Sequence, residues 1–165
     1  MLAYHALIRD NCFFDYQRRA NIMNNHHEGF KTVTDAKEFI LGGAATFTVT
    51  SNKTNTHYTY KVNVSDGENP VHFVNVLSGP DNTDDYMYLG IIRDEHKLQA
   101  GKKGRPDAPS FKAFEWVLKI LNTTTGDLNE NVTIQHEGRC CRCNRPLTDP
   151  VSIATGMGPI CRGGA

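Results

Sequence analysis

The chain has 165 residues, of which 39% are hydrophobic and 22% charged, which allows one modest core in one domain plus an appendage. Lys and Arg total 18 and so do Asp and Glu, so the net charge is zero with His neutral. That balance argues against wholesale coating of DNA, RNA or anionic membranes, although a local basic patch is still compatible with it. No run of about 18 apolar residues marks a membrane-spanning helix, and the opening MLAYHALIRDNCFFDYQRRA lacks the layout of a secretory signal.

Residues 1–30 form an N-terminal extension with Arg18-Arg19, Asn24-Asn25 and His26-His27 and no sustained period of 2 or 3.6. Met23 is a candidate native start within it; the alternative is an N-terminal helix over Leu2 to Ile8. A body over residues 31–130 follows. Its first element is a short helix capped by Thr34 or Asp35, with Glu38 completing an Asp-x-x-Glu box and Gly42-Gly43 stopping it. Four strand-like runs come next, Ala45–Ser51, His57–Val64, Val71–Leu77 and Tyr86–Arg93, joined by Gly, Pro, Asn and Asp turn chemistry. They suit an antiparallel meander with one buried face. Lys97 to Pro109 reads as a polar Gly/Lys-rich loop. A helix then starts near Pro109 and places Phe111, Phe114, Val117, Leu118 and Leu121 on one stripe that covers the sheet. Val132–Gln135 offers a last strand. The expected fold is α+β: four to five antiparallel strands, one long covering helix, and a tail over residues 131–165.

Four of the five cysteines, Cys140, Cys141, Cys143 and Cys161, fall in that tail, a poor disulfide framework. Cys140-x-x-Cys143 is the spacing at which a tight turn aims two thiolates at one point. Cys161 is the third ligand, brought back by a short helix that Thr148 or Asp149 caps and Gly156 ends. For the fourth, His136 at the end of the last strand is preferred to Cys141, whose place inside the turn points its side chain away; Asp149 or water is the substitute. A redox pair is the competing reading, but no thioredoxin-like βαβ order surrounds it. The tail also has too little apolar material for its own core and needs a staple, so Zn2+ is the expected cofactor. Deaminase or hydrolase chemistry is a weaker reading. Glu137 is adjacent to His136 where a His-x-Glu is required, and no Pro precedes Cys140.

The tail motif Gly138-Arg139-Cys140-x-x-Cys143-x-Arg145-Pro146-Leu147-Thr148-x-Pro150-x-Ser152-Ile153-x-x-Gly156-x-Gly158-Pro159-x-Cys161 resembles a short zinc-binding module of unknown function. That module is common in phage and mobile-element proteins and is appended to some DNA-handling enzymes. The body resembles small phage and prophage proteins that carry this tail, through Ala36-x-x-Phe39-Ile40-x-x-Gly43-x-Ala45-Thr46-Phe47-Thr48, Gly79-Pro80-Asp81-Asn82-x-x-Asp85-Tyr86-x-Tyr88-Leu89-Gly90 and Asp107-Ala108-Pro109-Ser110-x-Lys112-Ala113-Phe114-x-Trp116. The resemblance spans Thr34 to Cys161. It implies a phage context, hence the bacterial host's cytoplasm, and a metal site without catalytic residues.

Two surfaces are candidates for a partner. Arg139, Arg142 and Arg145 in the tail, joined by Lys102, Lys103 and Arg105 if that loop lies alongside, would form a basic face for nucleic acid. Asp81, Asp84, Asp85 and Tyr86 offer an acidic loop to a host or defence enzyme that the protein would inhibit. Tyr58, Tyr60 and Phe73 have the chemistry of a base-stacking platform, but their alternation is read as core. The expected function is a non-enzymatic zinc protein that contacts nucleic acid through its tail.

Overall fold

The computed structural model describes residues 29–93, 97–102 and 104–163. Helix α1 (Val33–Ile40) is followed by strands β1 (Ala44–Ser51), β2 (Thr56–Val64), β3 (His72–Leu77), β4 (Tyr86–Arg93) and β5 (Lys97–Ala100). Helix α2 (Pro109–Thr123), strand β6 (Val132–His136), and the short helices α3 (Pro150–Thr155) and α4 (Pro159–Gly163) complete the chain. The six strands form one antiparallel sheet in the order β5-β4-β3-β2-β1-β6.

The meander is as the alternation of its strands requires. Phe47 and Val49 of β1, Tyr60 and Val62 of β2, and Val74 and Val76 of β3 all face one buried layer. Helix α2 lies across that layer with Phe111, Phe114, Val117, Leu118 and Leu121 buried, and the Phe114 ring sits 4.8 Å from Tyr60 and 6.2 Å from Phe47. The Tyr60 hydroxyl donates to the Ser110 carbonyl at 2.7 Å, which satisfies a buried phenol and pins the first turn of α2.

The sheet has six strands where four or five were expected. The additional strand is β5, inside the segment read as a polar loop. Its four residues contain one buried side chain, Leu98, and an edge strand with lysine at its start leaves little hydrophobic pattern to read. The cap of α1 also differs from expectation. Thr32 Oγ1, not Thr34 or Asp35, accepts the Asp35 N–H at 3.1 Å, and the same hydroxyl donates to Asp35 Oδ2 at 2.6 Å.

The tail is continuous with the body. Strand β6 pairs with β1 from Phe47↔His136 to Ser51↔Val132, so a division at residues 130/131 separates β6 from the sheet it completes. Phe30, placed in the extension by sequence, is buried beside Phe39 and bonds from its N–H to the Ile134 carbonyl at 2.8 Å. Leu147, Ile153 and Met157 of the tail belong to the same apolar cluster as these rings. Met23 and the alternative Leu2–Ile8 helix lie outside the described residues. No helix among the described residues is long and apolar enough to cross a membrane.

Candidate metal centre

The turn after β6 is built by backbone hydrogen bonds. Gly138 turns at φ +79°, and the Leu147 N–H returns to its carbonyl at 2.8 Å. Within that loop the Cys140 N–H donates to the Arg145 carbonyl and the Asn144 N–H to the Cys140 carbonyl, both at 2.9 Å. Asn144 sits at φ +58°, a left-handed position that Asn tolerates, and this lets the chain reverse directly after Cys143.

The return arm starts at Asp149, whose Oδ1 accepts the Ser152 N–H at 3.0 Å and caps α3, with Pro150 at its first position. Gly156 ends α3 in the left-handed region at φ +67°. Gly158 and Pro159 then lead into α4, which carries Cys161 to the turn.

The sulfurs of Cys140, Cys143 and Cys161 lie within 4.8 Å of one another, a spacing that lets one metal ion contact all three. Cys140 is buried, Cys143 exposed and Cys161 intermediate. Burial raises the Cys140 thiol pKa, but backbone N–H donors from Cys143, Gly158 and Arg142 outweigh it and bring the thiol down to about 7. Cys161 moves the other way, to about 11, because its thiol donates toward Cys143 and Cys140 and feels their charge. The Cys140 sulfur is thus held toward the thiolate and the Cys161 sulfur toward the thiol. A cation would reverse that preference and hold all three as thiolates. Convergent soft donors with an amide cage on one sulfur are what a structural metal needs, so the residues present fit one.

His136 does not join them. Its Nδ1 accepts the Gly138 N–H at 2.9 Å, which puts the ring proton on Nε2, and Nε2 meets the Ile153 carbonyl at 2.7 Å. The ring packs 5.1 Å from Phe39 and 5.3 Å from Phe30. Both nitrogens therefore serve backbone groups and join β6 to α3, and the expectation of a fourth ligand is corrected to that role. A ring at the end of β6 faces the core layer, as Ile134 does two residues earlier, and not the turn.

Cys141 is not a ligand of the cluster either. Fully buried, its sulfur rests where a Cβ on Gly42 would collide with it. Its N–H donates to the Gly156 carbonyl at 3.1 Å, and its carbonyl accepts from Ala44 N–H at 2.6 Å. Cys141 is the peg that seats the turn on α1, β1 and α3, and burial pushes its thiol up to about 12.

The basic residues divide. Arg139 donates to the Asn144 carbonyl at 3.1 Å across the turn, Arg142 donates to the Cys161 carbonyl at 3.0 Å, and Arg145 is exposed on the same turn. Lys102 and Arg105 follow β5, whereas the cysteine turn follows β6, and these are opposite edges of the sheet. Five interstrand spacings separate the edges, roughly 24 Å. The two basic groups do not form one face. Lys103 lies outside the described residues.

The acidic loop is mostly spent on itself. Asp81 Oδ1 accepts the N–H groups of Thr83 and Asp84, which hold its carboxyl below the usual range, and Asp85 Oδ2 accepts the Asp81 N–H at 2.9 Å. These bonds close the β3–β4 turn. Asp84 is exposed beside it. Tyr86 lies on the outer sheet face with the Lys61 ammonium 4.4 Å from its ring centroid. Burial and, after it, the Glu137 charge hold the Tyr86 hydroxyl above its ordinary pKa. Of the three aromatics weighed for stacking, Tyr60 is core and Tyr58 packs against the core, while Phe73 is on the outer face with its ring 6.4 Å from Tyr88.

With this geometry in view, the comparison with known families is specific to the tail. Residues 132–165 match the model of a family of unknown function (DUF6011). The matched segment holds β6, the cysteine turn, α3 and α4. No curated protein and no solved structure matches the chain.

Sequence reasoning missed two participants. Gly158, whose N–H caps the Cys140 sulfur, was signalled by the Gly-x-Gly-Pro run before Cys161. Lys37 on α1 shares a cleft with Arg142 and Arg162, and no local signal in its helix connects it to the tail.

Proposed function

We propose that this chain is a phage-encoded, non-enzymatic accessory protein that acts in the host cytoplasm, binds Zn2+ through Cys140, Cys143 and Cys161, and contacts nucleic acid through the arginines of its tail. The observation that carries the reading is the placing of Arg139, Arg142 and Arg145 on the very turn whose cysteines converge. Zinc suits three thiolates in a small turn because it accepts tetrahedral sulfur ligation at about 2.3 Å without redox chemistry. A structural role is supported by His136, whose two ring nitrogens meet the Gly138 N–H and the Ile153 carbonyl.

Metal-loaded protein should retard single-stranded and duplex oligonucleotides with a salt-dependent affinity, and Arg139→Glu with Arg142→Glu and Arg145→Glu should abolish the shift while zinc content is kept. Unaltered retardation by the triple variant would remove the tail arginines from the interface.

A second reading has an observation of its own. The outer sheet face presents Phe73 and Tyr88 at 40% and 43% exposure beside the acidic turn, a surface suited to a protein. An inhibitor of a host or defence enzyme would use it, and stoichiometric co-purification of one host protein, lost in Phe73→Asp, is the expected sign.

A further inference from the structure

A concave cleft of about 880 Å³ opens between α1, the end of α2 and the cysteine module. Three cations line it: Lys37 from α1, Arg142 from between the clustered cysteines, and Arg162 from the residue after Cys161. Thr34, Thr124 and Thr125 add hydroxyl donors, and Leu121 and Met157 contribute buried apolar surface. Glu38 is the carboxylate among its lining residues, and Asp149 also feels the charge of Arg162. On a chain with 18 basic and 18 acidic residues, three cations beside one carboxylate in a single cleft is a local excess of positive charge.

We propose that this cleft is a phosphate-binding site for single-stranded nucleic acid, with one nucleotide unit seated in it and the metal centre fixing two of its three cations. The proposal rests on the reading that the tail contacts nucleic acid, and it moves the contact from the outer turn to the cleft. Arg142 uses one Nη on the Cys161 carbonyl at 3.0 Å, and Arg162 reaches Thr155 Oγ1 at 3.5 Å; a guanidinium has five N–H donors, so each arginine keeps a fork for a phosphate. Lys37 Nζ donates to Asn122 Oδ1 at 3.2 Å, which holds the ammonium in the cleft that the arginines also line. Phosphate oxygens suit the three cations that line the cleft. A duplex does not fit, because its two backbones enclose the bases and its diameter exceeds a pocket of this size. Arg142 and Arg162 are each adjacent in sequence to a cluster cysteine, so the geometry of the cleft depends on the closure of the cluster.

The test is fluorescence anisotropy with short labelled single-stranded DNA and RNA, the matching duplex, and inorganic phosphate as competitor, on full-length metal-loaded protein. Lys37→Glu is the decisive variant, since Lys37 is outside the module and its substitution leaves the cysteines untouched. It should weaken single-strand binding about tenfold and lower the salt slope by about one, with bound metal per chain unchanged. Arg162→Glu should do the same, and a chelator should weaken binding at constant ionic strength. Arg139→Glu with Arg145→Glu should change affinity less than about threefold. Loss of binding in that outer-turn pair with wild-type affinity in Lys37→Glu would overturn the cleft and leave the tail reading standing. Equal affinity for duplex and single strand would also overturn it. Absence of binding to any oligonucleotide by the metal-loaded wild type would remove both.

Discussion

His136 and Cys141 flank the same turn and were the two contenders for one coordination position, yet each is committed elsewhere by a physical requirement of its own. His136 satisfies a backbone donor at Gly138 and a carbonyl at Ile153, and Cys141 fills the space above Gly42. His136→Ala should therefore keep its full metal content and lose roughly 1–3 kcal/mol of stability from two hydrogen bonds and the contact with Phe30 and Phe39, measured by denaturant unfolding alongside metal analysis. Cys143→Ser and Cys161→Ser should show the opposite pattern and lose stoichiometric metal. Cys141 also gives a pH signature. Its folded pKa of about 12 stands above the ordinary 9.0, so below pH 9 both states hold the proton and its contribution is fully present. As pH rises from 9 toward 12 the unfolded chain alone releases it, and stability falls. Cys141→Ala should flatten that alkaline decline in a pH series of thermal melts.

At the scale of elements, the short helix α3 matters beyond its six residues. Its end at Gly156 combines a left-handed φ of +67° with contact so close that a Cβ would collide with the Phe39 ring. Gly156→Ala should cost more than about 1 kcal/mol, since the strained backbone and the collision with the Phe39 ring act together, and the melting temperature should fall without a change in metal stoichiometry. The turn and α3 meet the body at one line, where the Cys141 amide bonds to Gly156 and its carbonyl receives Ala44. Displacing α3 therefore disturbs the start of β1 as well as the metal site.

For the whole molecule, the tail and body share one apolar cluster. Removing the metal should lower the stability of the entire domain in a single transition, because Leu147, Ile153 and Met157 lose their anchor together with β6. Calorimetry with and without chelator checks this. An unchanged main transition beside a separate low-temperature event would mean that the tail is an independent unit. Acidification should release a bound metal, since protons compete for the three thiolates, and titration of the free ion against pH would follow it.

Periodicity and spacing carried much of this structure. The alternation of Phe47 with Val49 and of Tyr60 with Val62 announced the sheet, the Phe111–Leu121 stripe announced its cover, and Cys140-x-x-Cys143 with Cys161 announced the cluster, because each of these patterns is local and repeats with the period of its element. Strand β5 was hidden because an edge strand with one buried residue has no such period. The roles of His136 and Cys141 were hidden for a different reason. Which way a side chain at a turn points is decided by what packs against it, and here that is Phe30, Phe39 and Gly42, residues remote in sequence. The cleft beside the cluster belongs to the same class. Sequence alone determined that three thiols in the tail converge; only the tertiary structure decided that two of the arginines beside them face Lys37, because that meeting depends on β6 docking against β1 and drawing the turn onto α1.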